Sequence, residues 1–241
     1  MPLNGTALFY TTLAAAANLI GAAAVVAHNR WSVRALENMV ALSAGFMVSV
    51  ALLDLVPDSI RLHGESAAMI ILLGYLLVHL TQHTLAPHFH FGEEHHQVTK
   101  VVSFSALAGL ILHTFVDGVA IASGFGVSSA VGLLVFLAIL LHKLPEGLAI
   151  SSLFLASGES RRAAFGASVA LAISTLIGAL VTQQVPILGR YGLPIAAGVG
   201  LYVGMSNLVP EFQGKREWRL PISFFIGCAL YYGARRLLGA G

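Results

Sequence analysis

Charged side chains are scarce in this chain. Asp, Glu, Lys and Arg make up only 10% of its 241 residues, whereas 57% of the residues are hydrophobic. An average soluble domain has roughly 25% charged residues, because a protein of this length needs a polar surface to stay dissolved. The scarcity of charge therefore excludes a soluble globular protein. It predicts a polytopic membrane protein in which residues 1–241 form a single transmembrane domain.

Cysteine and net charge are also nearly absent. Cys228 is the only cysteine, which excludes an intramolecular disulfide and a metal site built from thiolates. The net charge of +2 gives no reason to expect a nucleic acid as a partner. No basic segment precedes the first apolar run, and that run is too long for a cleaved signal peptide. We therefore interpret it as the first transmembrane helix.

Long apolar runs are what the chain has in abundance. Runs long enough to cross about 30 Å of hydrocarbon occur eight times. They predict an all-α fold, a polytopic membrane helical bundle of eight transmembrane helices grouped 3+2+3. The predicted helices are residues 5–28, 34–57, 66–86, 100–124, 128–156, 163–183, 189–212 and 221–240.

The basic residues between these helices indicate the orientation. If the N-terminus lies outside, the inside segments hold Arg30, Arg34, Lys100, Arg161, Arg162, Lys215, Arg216 and Arg219. The outside segments then hold Arg61, Arg190, Arg235 and Arg236. Because inside loops carry the excess of Lys and Arg, this distribution predicts that both termini lie outside. The loop of about residues 87–99 then lies inside.

Two short patterns each occur twice. The fourth and fifth helices share H-x-x-x-[DE]-G-x-A-I-x-S, beginning at His113 and at His142. The second and seventh helices share a shorter pattern, DLVPD from Asp54 and NLVPE from Asn207. The second and seventh helices cross the membrane in opposite senses. The shorter pattern therefore favours an inverted repeat of helices 1–3 and 6–8, an arrangement common in secondary transporters.

The first repeated pattern predicts a metal site. Positions i and i+4 share a helix face, so His113 points with Asp117, and His142 points with Glu146. A carboxylate in mid-membrane is costly unless something compensates its charge. Two imidazoles and two carboxylates suit Zn²⁺ and are tolerable for Fe²⁺, Mn²⁺, Co²⁺ or Cd²⁺. Alternatively, each histidine forms a buried hydrogen-bonded couple with its neighbouring carboxylate, but two couples in matching positions favour the metal.

Pro145 lies between the second histidine and the second acid. Because proline has no N–H, the carbonyl of Leu141 loses its helical partner and needs another donor, water or a cation. An ordinary proline kink explains the bend equally well.

Polar residues outside the four-residue site predict a path for the metal ion and a loop that captures metal. Asp58 is expected near the outer end of the second helix and Glu211 near the inner end of the seventh. Asp54, a turn deeper than Asp58, is the better candidate for contact with an ion in transit, and Asn207 is its counterpart. The inside loop predicts low-affinity metal capture, although a solvated polar loop is the alternative. The loop histidines are His88, His90, His95 and His96.

These motifs resemble the ZIP (Zrt/Irt-like) divalent-metal transporters. HTFVDG, HKLPEG, eight spans and a His-rich loop between the third and fourth helices carry the resemblance. It implies uptake of zinc or a related ion into the cytoplasm, with the metal as substrate and no prosthetic cofactor. It also implies a homodimer in the lipid bilayer, with the plasma membrane as its expected location. The implied mechanism is an elevator-like movement of helices 1, 4, 5 and 6 against helices 2, 3, 7 and 8.

The chain departs from the family at one place. Members with two adjacent metal sites have patterns such as HNxPEG with QDxPEG or HExPHE, and a further acid on the sixth helix. Thr114 and Lys143 stand at the second-site positions here, and residues 163–183 hold no acid. We therefore expect a single-metal site. We also expect Lys143 to reach Glu146 and replace the second cation, unless it faces away towards an interface.

Two other function classes remain open from the sequence. An intramembrane zinc hydrolase needs a free metal position and an acid or base beside it, and no HExxH motif is present. A metal sensor that binds without transporting is the third possibility. We expect a transporter and not an enzyme.

Overall fold

The computed structural model describes residues 5–27, 33–84 and 100–239. Within these ranges the backbone forms helices joined by short turns, and it contains no β-strand. The loop histidines lie outside the described residues. The predicted all-α class is therefore confirmed for the part of the chain that the structure describes.

The described residues form eight helical rods, in the order that the apolar runs predict. The ends of the rods lie within a few residues of the prediction, except that the C-terminal end of α2 extends six residues further. The rods are α1 Gly5–Ala27, α2 residues 33–63, α3 Ser66–Thr84, α4 Lys100–Val127, α5 Ser129–Ala156, α6 Arg161–Gln184, α7 residues 186–213 and α8 Arg219–Leu237.

Six of these rods are long and apolar enough to cross a membrane by themselves, judged on the described residues. The other two are α3 and α8. In α3 the apolar stretch is short, Ser66–Thr81. In α8 the basic residues at the two ends lower the mean hydropathy of a helix of 19 residues. The polytopic helical bundle is as predicted.

A serine joins α4 to α5. Ser128 is the one residue between the two helices, and its hydroxyl oxygen accepts the N–H of Val131 at 3.1 Å. This N-cap satisfies one of the free donors of the first turn of α5. The tight connection makes α4 and α5 antiparallel neighbours, so the two copies of the long motif face each other.

Glycines join the eight helices in four close pairs, which further helix contacts assemble into two groups. In four helix pairs, each helix has a glycine where an added Cβ would collide with a backbone oxygen of the partner. These pairs are α1–α5 (Gly21, Gly147), α4–α6 (Gly118, Gly178), α2–α8 (Gly45, Gly227) and α3–α7 (Gly74, Gly198). Extensive α1–α6 and α4–α5 contacts complete one group, and α2–α7 contacts complete the other. Small residues allow this close approach of membrane helices.

The two copies of the short motif have the same local conformation. A π-helical segment, Ala51–Leu55 in α2 and Tyr202–Leu208 in α7, ends directly before each Val-Pro pair. Pro57 and Pro210 cannot donate a hydrogen bond to the preceding turn, which explains why the helix widens there. Asp54 and Asn207 both lie within these widened turns.

Candidate metal centre

The four predicted ligands meet in the interior. His113 and Asp117 come from α4, and His142 and Glu146 come from α5. One nitrogen or oxygen atom of each lies within 4.8 Å of the corresponding atoms of the other three. All four side chains are at least nine-tenths buried.

The distances suit a small cation. Nε2 of His113 and Nε2 of His142 each lie 3.5 Å from Oδ2 of Asp117. Oε2 of Glu146 lies 3.7 Å from Nε2 of His113. In a tetrahedral zinc site with metal–ligand distances of about 2.1 Å, neighbouring ligand atoms lie about 3.4 Å apart. The side chains therefore need only small movements to bind one zinc ion.

The histidine on α5 points its free nitrogen into the centre. Nδ1 of His142 lies 2.9 Å from the carbonyl oxygen of Ala138, and a carbonyl can only accept, so Nδ1 carries the proton. Nε2 then has a lone pair, and this buried atom has no hydrogen-bond partner among the described residues. This arrangement is typical of a metal-binding imidazole whose other nitrogen is held by the protein. It disfavours the alternative of two hydrogen-bonded His–carboxylate couples.

Lys143 is completely buried and contacts both carboxylates. Its Nζ lies 2.7 Å from Oδ2 of Asp117 and 3.1 Å from each carboxylate oxygen of Glu146. The expected contact with Glu146 is present, and the contact across to α4 is additional. Because the side chain has no exposed surface, it does not extend to a membrane interface.

The carbonyl freed by Pro145 finds its donor on another helix. Ser43 of α2 places its hydroxyl 2.9 Å from the carbonyl oxygen of Leu141 and 2.7 Å from that of Met39. The single hydroxyl proton can serve either acceptor. The proline-containing turn of α5 is thereby hydrogen-bonded to α2.

Thr114 does not join the carboxylates. Its buried hydroxyl donates to the carbonyl oxygen of Ile111 at 3.1 Å, within its own helix. Ser174 of α6 donates to the same carbonyl at 2.7 Å. The second-site position on α4 is therefore occupied by a side chain that is already hydrogen-bonded.

Asn18 of α1 is a site residue that the sequence reasoning missed. Its Nδ2 donates to Oε1 of Glu146 at 2.8 Å, and the side chain is completely buried. The available signal was an amide in the middle of an apolar run, AAAANLIGAAA. Such a group is costly in a membrane unless it has a partner.

Two of the predicted route residues, Asp54 and Asp58, pair with residues other than the four ligands. Asp54 accepts the hydroxyl of Tyr231 at 2.7 Å, and its other oxygen lies 3.1 Å from Nε of Arg235, both on α8. Asp58 pairs with Arg61 at 2.9 Å. Each of these acids is therefore next to a cation of the chain itself.

The inner half of the predicted route is described only in part. Asn207 is half-buried in the π-helical segment of α7. Glu211 lies in the short helix Pro210–Gln213, and its side chain lies outside the described residues, as do the loop histidines.

A small cavity adjoins the centre between the two helix groups. Its volume is about 30 Å³, enough for a water molecule or an ion. His113 and Asp117 are the polar side chains in its wall, which α2, α4, α5 and α7 complete with apolar residues. The wall reaches Leu55, the neighbour of Asp54. The cavity therefore borders two of the ligands and the residue next to Asp54.

Comparison with known proteins places this site in a family. A family model described as "ZIP Zinc transporter" matches residues 79–233, well over half of the chain and all four ligands. Zinc transporter ZIP13 of Pongo abelii is 28% identical over 138 residues, which are 54% of this chain and 42% of that protein. Zinc transporter ZIP4 of Mus musculus is 28% identical over 131 residues, 53% of this chain and 20% of that protein. ZIP13 of Rattus norvegicus is 32% identical over 128 residues, 50% of this chain and 36% of that protein. The chain thus matches less than half the length of these relatives, and it belongs to the ZIP zinc transporter family.

Proposed function

We propose that the chain transports divalent transition-metal ions across a membrane, with zinc as the expected substrate. His113, Asp117, His142 and Glu146 form the single transport site. The observation that carries the proposal is the burial of these four side chains with their ligand atoms within 4.8 Å of one another, three of the separations being close to those of a four-coordinate zinc site. The relatives named as zinc transporters support it.

The charges of the site suit binding followed by release. Two carboxylates and one ammonium give the group a charge of −1 when both imidazoles are neutral, and a bound dication changes this to +1. Without Lys143 the bound state would be neutral and the ion would be held more tightly. We infer that Lys143 replaces a second metal ion, with Asp117 and Glu146 bridging between the ammonium and the transported ion. Thr114, at the other second-site position, supplies no carboxylate.

The movement that we propose is a shift of α1, α4, α5 and α6 against α2, α3, α7 and α8. Backbone-to-backbone glycine contacts support the integrity of the helix pairs that make up each group. The cavity beside His113 lies between the groups and supports a route along their boundary. Uptake into the cytoplasm, outside termini, a homodimer and a plasma-membrane location rest on the sequence and the resemblance.

The two other function classes are less well supported. A hydrolase needs an acid or base beside the metal that is not itself a ligand. Both buried carboxylates belong to the ligand set, and Lys143 is paired with each of them. A sensor would use the same site, and only a flux measurement distinguishes it from a transporter.

Metal flux into proteoliposomes tests the proposal. Purified protein should carry Zn²⁺ into vesicles, with Fe²⁺, Mn²⁺, Co²⁺ and Cd²⁺ as competitors of unequal strength. His142→Ala should abolish flux, because it removes a ligand that has no substitute. His79→Ala, a change at an exposed histidine of α3, should leave the flux close to that of the native protein. Tight zinc binding without flux would favour the sensor, and flux that survives His142→Ala would contradict the proposed site.

A further inference from the structure

The two oxygens of Glu146 have different surroundings. Oε1 accepts the amide of Asn18 at 2.8 Å and the ammonium of Lys143 at 3.1 Å. Oε2 also contacts the ammonium, and it lies 3.7 Å from Nε2 of His113. Oε2 is therefore the oxygen that faces the other ligands, whereas Oε1 accepts hydrogen bonds from Asn18 and Lys143.

This difference controls how the carboxylate can bind a cation. A carboxylate that offers one oxygen suits an ion with four ligands, such as Zn²⁺. A carboxylate that offers both oxygens raises the number of ligands, which larger cations accept more readily. Asn18 and Lys143 already use both lone pairs of Oε1, so binding through both oxygens costs Glu146 one of these hydrogen bonds.

We propose that Asn18 is a positioning residue that determines metal specificity. By holding Oε1, it limits Glu146 to one-oxygen coordination and disfavours ions larger than zinc. The inference rests on the proposed function, because it assumes that Glu146 is a ligand of the transported ion. It assigns a role to α1, which lies entirely outside the residues that the family model matches.

The packing of α1 against α5 keeps this amide at the site. A Cβ on Gly147, the residue after Glu146, would collide with the carbonyl oxygen of Asn18. One turn away, a Cβ on Gly21 would collide with the carbonyl oxygen of Leu144. Because the two backbones touch at both levels, α1 and α5 move together, and Asn18 stays with Glu146 during transport.

A purely structural role does not explain the residue. Leucine has a similar size and would fill the same space without the cost of burying an amide. Oδ1 of Asn18 is buried and has no hydrogen-bond partner among the described residues, so the side chain is not satisfied as part of the core. What the amide gains is one bond, and that bond goes to Glu146.

Equilibrium binding of Zn²⁺ and Cd²⁺ to purified native protein and to Asn18→Leu tests this role. Loss of a group that orients a metal ligand typically lowers metal affinity by about 10- to 100-fold. We expect zinc affinity to fall about tenfold, cadmium affinity to fall much less, and the ratio of flux rates in proteoliposomes to shift towards cadmium. Asn18→Ala serves as a second variant if leucine impairs folding.

Thr11→Val is the matched control. Thr11 is also completely buried in α1, but its hydroxyl donates to the carbonyl oxygen of Ala7 at 2.7 Å and not to the site. It should leave the Zn²⁺ to Cd²⁺ ratio unchanged. An equal loss of affinity for both metals in the Asn18 variants, or an unchanged ratio, would overturn the inference. Native protein that neither binds nor transports zinc would instead contradict the proposed function.

Discussion

Replacing Lys143 by methionine should lower the stability of the metal-free protein and raise its affinity for zinc. Methionine keeps a long apolar stem but removes the ammonium that lies 2.7 Å from Asp117 and 3.1 Å from Glu146. Removing one partner of a buried ion pair leaves the other charge uncompensated and costs about 3–5 kcal/mol. Metal-free Lys143→Met should therefore be less stable than the native protein by about that amount.

The same change should strengthen zinc binding. Nζ lies 2.7 Å from Oδ2 of Asp117, and a zinc ion bound to that oxygen would lie at most about 4.8 Å from Nζ. At an effective dielectric constant of about 20, the repulsion between an ammonium and a dication at this separation is about 7 kcal/mol. One fifth of that energy already changes the dissociation constant about tenfold.

Thermal unfolding in detergent, with and without Zn²⁺, measures both effects. Zinc should raise the midpoint of Lys143→Met far more than that of the native protein, because a ligand stabilises the folded state according to its affinity. Lys100→Met is the control, since that exposed lysine forms a surface pair with Glu159 and contributes little. If metal-free Lys143→Met is as stable as the native protein, or binds zinc more weakly, the ammonium is not a built-in counter-ion.

Three further changes test other parts of the molecule. Arg235→Gln should lower the KM for zinc in flux assays, because it frees the carboxylate of Asp54. Asp54→Asn should raise the KM, because it leaves the guanidinium of Arg235 unpaired. If both variants shift the KM in the same direction, the pair has only a structural role. Serine in place of the four loop histidines should leave maximal flux nearly unchanged while weakening metal binding to the inner face, and complete loss of flux in a folded variant would contradict this. Gly178→Ala should destabilise the protein strongly through collision with a backbone oxygen of α4, whereas Gly166→Ala in the same helix meets open space and should be neutral or stabilising by up to about 1 kcal/mol in thermal unfolding.

Features that depend on short stretches of sequence were predictable. Apolar run length identified the eight helices, since a span needs about 20 apolar residues wherever it occurs. The spacing of four residues placed His113 with Asp117 and His142 with Glu146 on shared helix faces. The reach of Lys143 to Glu146 follows from the same local geometry.

Contacts between distant helices were not predictable in this way. Asn18 meets Glu146 across 128 positions, and Tyr231 meets Asp54 across 177. Nothing in the local pattern of α1 or α8 selects these partners, because they depend on which glycine faces pack together. The reach of Lys143 across to Asp117 also depends on the approach of α4 to α5.

The location and number of bound ions decide whether His113, Asp117, His142 and Glu146 form a site for a single ion. Anomalous diffraction at the zinc absorption edge, from crystals of the native protein grown with Zn²⁺, locates each ion in the membrane core. We expect one peak, about 2.0–2.2 Å from ligand atoms of His113, Asp117, His142 and Glu146, with the ammonium of Lys143 still beside the carboxylates. A peak elsewhere in the core with these side chains turned away, or two ions bridged by the carboxylates, would contradict it.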